Sequence, residues 1–463
     1  MTQRLRTSTP GAPDDLESLF HSSFRRYILA DPDRARAEFE SMVRRLTARR
    51  VFYGGKVLKT FLHPYVLGRP ALEAIARITE ELTALLEKVA RLYLSHGEVR
   101  RQFPVDPRVE ALILQAGPQP SAVPVLRFDS FYDGRQFRIL EVNTDGSSGM
   151  NDTNELEARF LELPLVKEFT GRFPLTPMPM LEPLRQALLE LFRASGRRPH
   201  TAGGPAIAIV DWPGVKTETE FFALQEHFES AGTRTLIVDP RELRLEGERL
   251  MAGDTAIDLV YKRVLTAELL ERWDQVQPLI EGYRRGLYCQ AGPYLGEVIY
   301  DKGVLAFLSE PANAGYFIGG ERELIDRHVP WSRRLHPGET TWKGRRVELF
   351  ELLRRERASF IVKPATAYGG VGVKLGCECP EREWEEALST WEQVPAIAQE
   401  FVEIPTQEFV QVESGTVSSK KINLGQFLFY GRFAGLYCRV SDASIINVSA
   451  GGATLPCFVV DEG

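Results

Sequence analysis

The chain has 463 residues, a formal net charge of −6, 43% hydrophobic residues and 26% charged residues. This length allows about two to four domains, and the composition is that of a soluble globular protein. The acidic balance argues against nucleic acid as a partner, five cysteines in so long a chain do not indicate a disulfide framework, and no run approaches the ~20 apolar residues of a membrane span.

The first part of the chain reads as helical. Residues 1–13 are polar and lack the apolar core of a secretory signal, so we expect a cytoplasmic protein without membrane attachment. Apolar residues recur at helical spacing in three stretches, 16–28, 39–46 and 72–94. We expect these stripes to form a core, and residues 1–122 to form a mainly helical region.

Residues 125–143 carry polar side chains where a sheet is usually apolar. Two runs, VLRFDSFY and FRILEVN, have the composition of strands joined by a tight turn. Because strand side chains alternate, Arg127 and Asp129 share one face of the first run. The same rule places Glu141 and Asn143 on one face of the second run, together with Phe137 and Ile139.

The length of the turn decides whether these groups meet. A three-residue loop, Tyr132–Asp133–Gly134, would place Gly134 in the left-handed conformation and set Arg127 opposite Ile139. All four polar groups would then lie on one face of the hairpin. A two-residue loop would shift the register by one and separate them. We expect the three-residue loop.

Oxygen ligands from Asp, Glu and Asn suit Mg²⁺, which bridges protein carboxylates to phosphates. A neighbouring Arg can bind phosphate oxygens with two parallel hydrogen bonds. The hairpin therefore predicts a magnesium and phosphate site. An exposed hairpin with incidental charges fits the same spacing.

An α/β pattern follows the hairpin. The loop 144–149 (TDGSSG) is rich in hydroxyl groups and glycine, as loops that approach ligands often are, and a helix is expected over residues 154–163. The alternation then predicts a parallel sheet from strands and a helix at 206–210, 218–230, 235–238 and 259–262. Lys262 and Arg263 end the last strand, where they either reach a ligand or leave one of the pair in solvent.

The last part of the chain has the features of a nucleotide site. Lys302 is expected in the first turn of a helix, where a cation is unfavourable unless an anion binds there. Residues 360–364 read as a strand that ends at Lys363–Pro364, followed by a glycine-rich loop and a second strand at 373–375. Such a hairpin is either a lid of backbone N–H groups over phosphates or a tight turn. Further strands are expected at 396–402, 426–430, 436–440 and 458–460.

The joint order of these motifs resembles the glutathionylspermidine synthase-type ligases of the circularly permuted ATP-grasp family. The resemblance begins with Arg127-x-Asp129, eleven intervening residues, and Glu141-x-Asn143. It continues through Val260–Arg263, Gly282–Gly286, Asp301–Lys302, Val362–Pro364, Tyr368–Val373, Gln399–Val402, Arg439–Val440, Asn447 and Gly451–Gly452. It covers roughly residues 120 to 460 and does not extend to an amidase half or to the loop after Asn143.

The resemblance implies a role for each matching residue. Asp129, Glu141 and Asn143 would hold Mg²⁺, and Arg127 would bind the transferring phosphate. Lys302 and Lys363 would contact the phosphates of ATP, beneath a lid formed by Tyr368, Gly369, Gly370 and Gly372. Gln399, Glu400, Phe401 and Val402 would line the adenine, with Arg439 as a further nucleotide contact.

We therefore expect an α+β or α/β fold of permuted ATP-grasp type. Its expected parts are the helical region 1–122, the metal-binding hairpin region 123–195, an α/β lobe 196–295 and a nucleotide-binding lobe 296–463. The expected activity is ligation of a small-molecule or peptide carboxylate to an amine, with ATP and Mg²⁺ and through an acyl phosphate. A non-catalytic nucleotide-binding scaffold and an ATP-grasp kinase are the alternatives.

Overall fold

A computed structural model describes residues 16–117, 119–367, 369–391 and 394–461. The first elements are α1 Leu16–Ala30, α2 Pro32–Ala48, β1 Phe52–Tyr53, β2 Lys56–Val57, β3 Tyr65–Gly68, α3 Arg69–Ser95, α4 Gly97–Arg100 and α5 Pro107–Gln115. Proline stands in the first turn of α2, α3 and α5, where its missing N–H costs no helical hydrogen bond. The three predicted stripes are thus helices, but the expectation of a mainly helical region overlooked β1 to β3.

The middle of the chain alternates between strands and helices. Its elements are β4 Val125–Tyr132, β5 Phe137–Asn143, α6 Met150–Leu161, α7 Pro164–Thr170, β6 Leu175–Pro177, α8 Leu181–Ala194, β7 Ile207–Val210, α9 Glu218–Ser230, β8 Thr235–Val238, β9 Arg244–Glu246, β10 Arg249–Ala252, β11 Thr255–Ile257, β12 Leu259–Lys262, α10 Thr266–Glu271, α11 Gln277–Arg284 and β13 Cys289–Ala291. Strands β13, β12, β7 and β8 form the predicted parallel sheet, in that order. The helix expected at 154–163 begins four residues earlier, at Met150.

The remaining elements are α12 Glu297–Tyr300, α13 Gly303–Ser309, α14 Gly319–His328, β14 Ser332–Arg334, β15 Glu339–Trp342, β16 Arg345–Glu348, α15 Leu349–Arg355, β17 Phe360–Pro364, β18 Lys374–Leu375, α16 Glu381–Trp391, β19 Ala396–Glu400, β20 Thr406–Gln411, β21 Thr416–Phe429, β22 Arg432–Ser441, β23 Ala453–Leu455 and β24 Cys457–Val460. Two of the predicted C-terminal strands are parts of the longer β21 and β22. Lys302 caps α13 instead of lying in its first turn. No helix in the described ranges combines the length and apolar character needed to cross a membrane.

Three sheets position the site. The largest has the order β23-β22-β21-β4-β5, with β20 also paired to β21. A second sheet, β14-β19-β17-β18, is antiparallel throughout. The third is the parallel sheet of the middle region. Because β4 pairs with β21, the polar hairpin and the C-terminal strands lie in one sheet although ~300 residues separate them in the chain.

The apolar face of the hairpin holds it in place. Leu126, Phe128, Ile139 and Val142 belong to the core that also contains the buried stripe of α3. Burying each of these side chains contributes about 1.5–3 kcal/mol. The opposite face is thereby free to carry polar groups.

Candidate active site between two cavities

A β-bulge organises the polar face of the hairpin. Arg127 pairs with Asn143 and Asp129 with Glu141, but the register shifts at Leu140 before Ser130 pairs with Ile139. The predicted pairing of Arg127 with Ile139 is therefore wrong, and so is the expectation that Ile139 shares a face with Glu141. Without the shift, Ile139 and Glu141 would lie on the same side of the sheet.

The turn itself is longer than expected. Residues 133–136 connect the strands, and the Asp133 side chain accepts hydrogen bonds from the backbone N–H groups of Arg135 at 2.9 Å and Gln136 at 2.7 Å. Gly134 has a φ of +85°, as predicted. The longer turn and the bulge together place the four polar groups on one face. The sequence predicted that shared face, but through a different strand register.

Asp129 lies at the centre of this face. Its Oδ1 is 3.0 Å from Arg127 Nε and 2.7 Å from Arg439 Nη2, while its Oδ2 is 3.3 Å from Arg127 Nη2 and 3.2 Å from Asn143 Nδ2. Burial alone would raise the pKa of this carboxyl, but the two guanidinium groups outweigh burial and hold the pKa well below its usual range.

The two predicted lysines reach this hairpin from other elements. Lys363 Nζ donates to the carbonyl oxygen of Leu140, at the bulge, at 2.8 Å and to Gln399 Oε1 at 3.0 Å. Lys302 Nζ donates to the Ala367 carbonyl at 2.6 Å and lies 3.3 Å from Glu141 Oε1. Burial lowers the pKa of Lys363 to about 8, with Glu141 raising it and Lys302 lowering it further.

A cavity of about 160 Å³ lies against the hairpin and the lysines. The predicted residues that line it are Arg127, Asp129, Glu141, Asn143, Lys363, Gly369, Gly370, Glu400, Phe401, Val402 and Arg439. The described lining does not include Lys302, Gly372 or Gln399, and Tyr368 lies outside the described residues. Gln399 points its side chain at Lys363 and at Ser332 Oγ, 3.1 Å away. We call this space the small cavity.

A second cavity, of about 790 Å³, adjoins the first. It reaches from the hairpin to the carboxyl edge of the parallel sheet, where Asp211 and Arg263 follow β7 and β12. Burial raises the pKa of the Asp211 carboxyl to about 6, against the opposing effect of Arg263. The residues that line both cavities are Arg127, Asn143, Gly369, Arg439 and Asn447. We call the second space the large cavity and these five residues the shared wall.

Buried ion pairs anchor the loop 144–149 beside the shared wall. Lys262 Nζ pairs with Asp145, whose other carboxylate oxygen accepts from the Thr266 N–H at 2.7 Å. Arg263 pairs with Glu220 at 3.3 Å. The expectation that one of these cations is solvated is wrong, because both are only 3% exposed.

Sequence reasoning overlooked Asp145 and Glu220 as the partners of these cations. Glu220 Oε2 also accepts from the backbone N–H groups of Gly149 at 2.9 Å and Asn151 at 3.2 Å, so it holds the end of the loop. Asp145 could have been singled out from the sequence, because it is the one charged residue in the loop 144–149, which leaves the polar strand. Glu220 carried none, because an acidic residue in a first helical turn is an ordinary feature.

The donor set of the polar face fits Mg²⁺ only in part. Glu141 and Asn143 line the small cavity with hard oxygen donors, and the Glu141 side chain remains 25% exposed. Both oxygens of Asp129, in contrast, are occupied by guanidinium or amide N–H groups. In the described parts of the chain, no cluster of three or more His, Cys, Asp or Glu side chains has a geometry suited to a metal. Two of the three predicted ligands therefore fit a magnesium ion.

The fold is a mixed α/β fold of helices and several sheets. The chain is similar in structure to a glutathione synthetase-like effector from Globodera pallida in its apo form, with a TM-score of 0.57 and 11% sequence identity. The alignment covers 93% of this chain and 98% of that chain. At this identity the similarity shows the shared fold. No protein-family model and no curated protein matches the sequence.

Two further solved structures are less similar. A putative gamma-glutamylcysteine synthetase from Methylobacillus flagellatus KT has a TM-score of 0.43 and 12% identity, over 85% of this chain and 89% of that chain. The ATP-grasp ligase PsnB, complexed with a minimal precursor, Mg and ADP, has a TM-score of 0.23 and 14% identity, over 55% of this chain and 88% of that chain. The fold assignment rests on the first structure and not on these two.

Proposed function

We propose that this chain is an ATP-dependent carboxylate–amine ligase of the circularly permuted ATP-grasp type, similar to the glutathionylspermidine synthase ligases. The observation that carries the proposal is the shared wall. Two cavities meet at Arg127, Arg439 and Asn143. Among the described lining residues, a lysine of the expected nucleotide-binding motifs, Lys363, belongs to the small cavity and not to the large one. A phosphoryl group at this wall would be reached by a nucleotide from one side and by an acid from the other.

The small cavity is the proposed site of ATP. Lys302 and Lys363 would contact the phosphates, the 399–402 segment would line the adenine, and Tyr368 with the glycines at 369, 370 and 372 would form the lid. A cavity of about 160 Å³ is below the roughly 300–1,000 Å³ of ordinary ligand sites. We therefore expect the lid to move outward when a nucleotide binds.

Glu141 and Asn143 are the residues that would hold Mg²⁺, with Asp129 as the third ligand expected from the sequence. A bound magnesium ion would neutralise charge on the phosphates. Lys302 would keep the Glu141 carboxylate oriented through its contact at 3.3 Å. Arg127 would hold the phosphoryl group that is transferred.

The large cavity is the proposed site of the acid and the amine. A substrate carboxylate oxygen attacks the γ-phosphorus of ATP, the bond to the β,γ-bridging oxygen breaks, and ADP and an acyl phosphate form. The amine then attacks the acyl carbon, the carbon–oxygen bond to phosphate breaks, and an amide and inorganic phosphate result after the amine loses a proton. The protein contributes position and charge neutralisation to both steps.

An ADP-release screen tests the proposal. Small carboxylates and peptides are crossed with amines in the presence of ATP and Mg²⁺, and Glu141→Gln is the matched inactive variant. We expect release of ADP that depends on both substrates and is lost in the variant. Release with the acid alone, giving a stable phosphorylated product, would indicate a kinase. Failure of the parent protein to bind ATP would indicate a scaffold.

A further inference from the structure

Asp129 is enclosed by partners that a metal ion would have to displace. Its two oxygens make four polar contacts of 2.7–3.3 Å, with Arg127, Arg439 and Asn143. The side chains of Asp129 and Arg127 are each 11% exposed, and that of Arg439 is 6% exposed. Each contact comes from a group that donates a hydrogen bond. Together they occupy the lone pairs with which the carboxylate would bind a cation.

The two guanidinium groups carry more charge than Asp129 neutralises. Both arginines stand in the shared wall, so the excess positive charge lies between the two cavities. Arg439 Nε is buried and has no hydrogen-bond partner among the described residues. Two guanidinium groups that one carboxylate only partly neutralises, at a cavity wall, indicate an anionic ligand.

Other contacts fix the direction of both guanidinium groups. Arg127 Nη1 donates to the Ser148 carbonyl at 2.9 Å, and Arg439 donates to Asn423 Oδ1. Both guanidinium carbons lie over the Tyr437 ring, at 5.5 Å and 5.4 Å from its centroid. Asp129 thus completes a rigid support in which neither arginine can turn toward solvent without losing an ion pair.

We propose that Asp129 is a positioning residue and not a magnesium ligand: it holds Arg127 and Arg439 as a pair that grips the phosphoryl group in transit between the cavities. This inference rests on the proposed function and revises one of its residues. Magnesium is then held by Glu141 and Asn143 without Asp129. Arg439 acts on the γ-phosphate and the transferred phosphoryl group, and not on the adenosine part of ATP.

Three variants separate positioning from metal binding. Asp129→Asn removes the charge that holds the arginines, Arg439→Gln removes one arginine and frees one side of Asp129, and Glu141→Gln removes a metal ligand. Binding of ADP and of the analogue AMP-PNP is measured by calorimetry. Binding of Mn²⁺ to each ADP complex is measured by electron paramagnetic resonance.

We expect Asp129→Asn and Arg439→Gln to lower the affinity for AMP-PNP by at least about tenfold. The affinities for ADP and Mn²⁺ are expected to change by less than about twofold. Glu141→Gln is expected to weaken Mn²⁺ binding by at least about tenfold. Should Asp129→Asn unfold, because two buried cations lose their partner, Arg439→Gln decides alone, since it retains the pair between Arg127 and Asp129.

The inference is overturned if Asp129→Asn weakens Mn²⁺ binding as much as Glu141→Gln does. It is also overturned if Arg439→Gln strengthens Mn²⁺ binding, because a freed Asp129 would then be acting as a ligand. A parent protein that binds neither ADP nor AMP-PNP overturns the proposed function, and this inference with it. If the parent protein binds nucleotide but the two variants lose affinity for ADP and for AMP-PNP equally, this inference alone is overturned.

Discussion

Lys363→Met is expected to remove nucleotide binding and to destabilise the protein less than the loss of a buried lysine that has a carboxylate partner. The Lys363 ammonium is buried, and burial lowers its pKa from 10.5 to about 8, with Glu141 and Lys302 acting in opposite directions. Because one pKa unit corresponds to about 1.4 kcal/mol, a charged Lys363 at pH 7 costs the folded state about 3 kcal/mol. The variant removes this cost.

The variant also removes two hydrogen bonds. The Leu140 carbonyl and Gln399 Oε1 accept from Lys363 at 2.8 Å and 3.0 Å, and each buried acceptor left unpaired costs about 1–3 kcal/mol. The two effects oppose each other, a loss of about 2–6 kcal/mol against a gain of about 3 kcal/mol, so the free energy of unfolding is expected to fall by no more than about 3 kcal/mol. Urea unfolding at pH 7 measures this change, and calorimetry with AMP-PNP measures nucleotide affinity.

Lys262→Met is the matched control. Lys262 is buried to the same degree, 3% exposed against 4% for Lys363, but it is paired with Asp145. Removing it leaves a buried carboxylate without a counter-charge, which costs about 3–5 kcal/mol. Equal destabilisation by the two substitutions would refute the reasoning about Lys363, and so would a Lys363→Met protein with the nucleotide affinity of the parent.

Three further predictions follow from the same geometry. Nucleotide affinity should fall as pH rises through about 8, because the pKa of Lys363 is lowered in the folded protein and the side chain loses its proton there. Nucleotide binding near pH 8 should therefore take up protons. Calorimetry in two buffers of different ionisation enthalpy detects this uptake. Gly370→Ala should weaken nucleotide binding, because φ is +76° and the new methyl group would lie 2.5 Å from the side chain of Ile445. The control Gly134→Ala, with a φ of +85° and open space around it, should retain nucleotide affinity and lose only about 1 kcal/mol of stability to backbone strain. Glu220→Gln should lower the free energy of unfolding by about 3–5 kcal/mol in urea titrations, because the buried Arg263 would lose its ion-pair partner. A loss below about 1 kcal/mol would contradict this.

Several elements followed from local pattern alone. Helix Glu218–Ser230 and strands Thr235–Val238 and Leu259–Lys262 have the bounds expected from the sequence. Their signals come from residues a few positions apart, and the parallel sheet needs only their alternation. The four polar groups of the hairpin were predicted for the same reason, since alternation is a property of each strand by itself.

The tertiary structure decided the rest. The bulge at Leu140 turns Glu141 away from Ile139, because the core against α3 requires Ile139 on the apolar face while the cavity requires Glu141 on the other. Strand β21 pairs with β4 in addition to its sequence neighbours β20 and β22, and strand pairing across the separation between β21 and β4 is not encoded locally.

The amino-acid order by itself determined which residue types line the polar face and where the strongly patterned helices and strands lie, because neighbouring residues specify both. The partners of the buried charges came only from the assembled molecule. Asp129 meets Arg439, and Lys262 meets Asp145, across 310 and 117 positions of chain. A buried charge takes whichever counter-charge the packing brings near, and packing is a property of the whole fold.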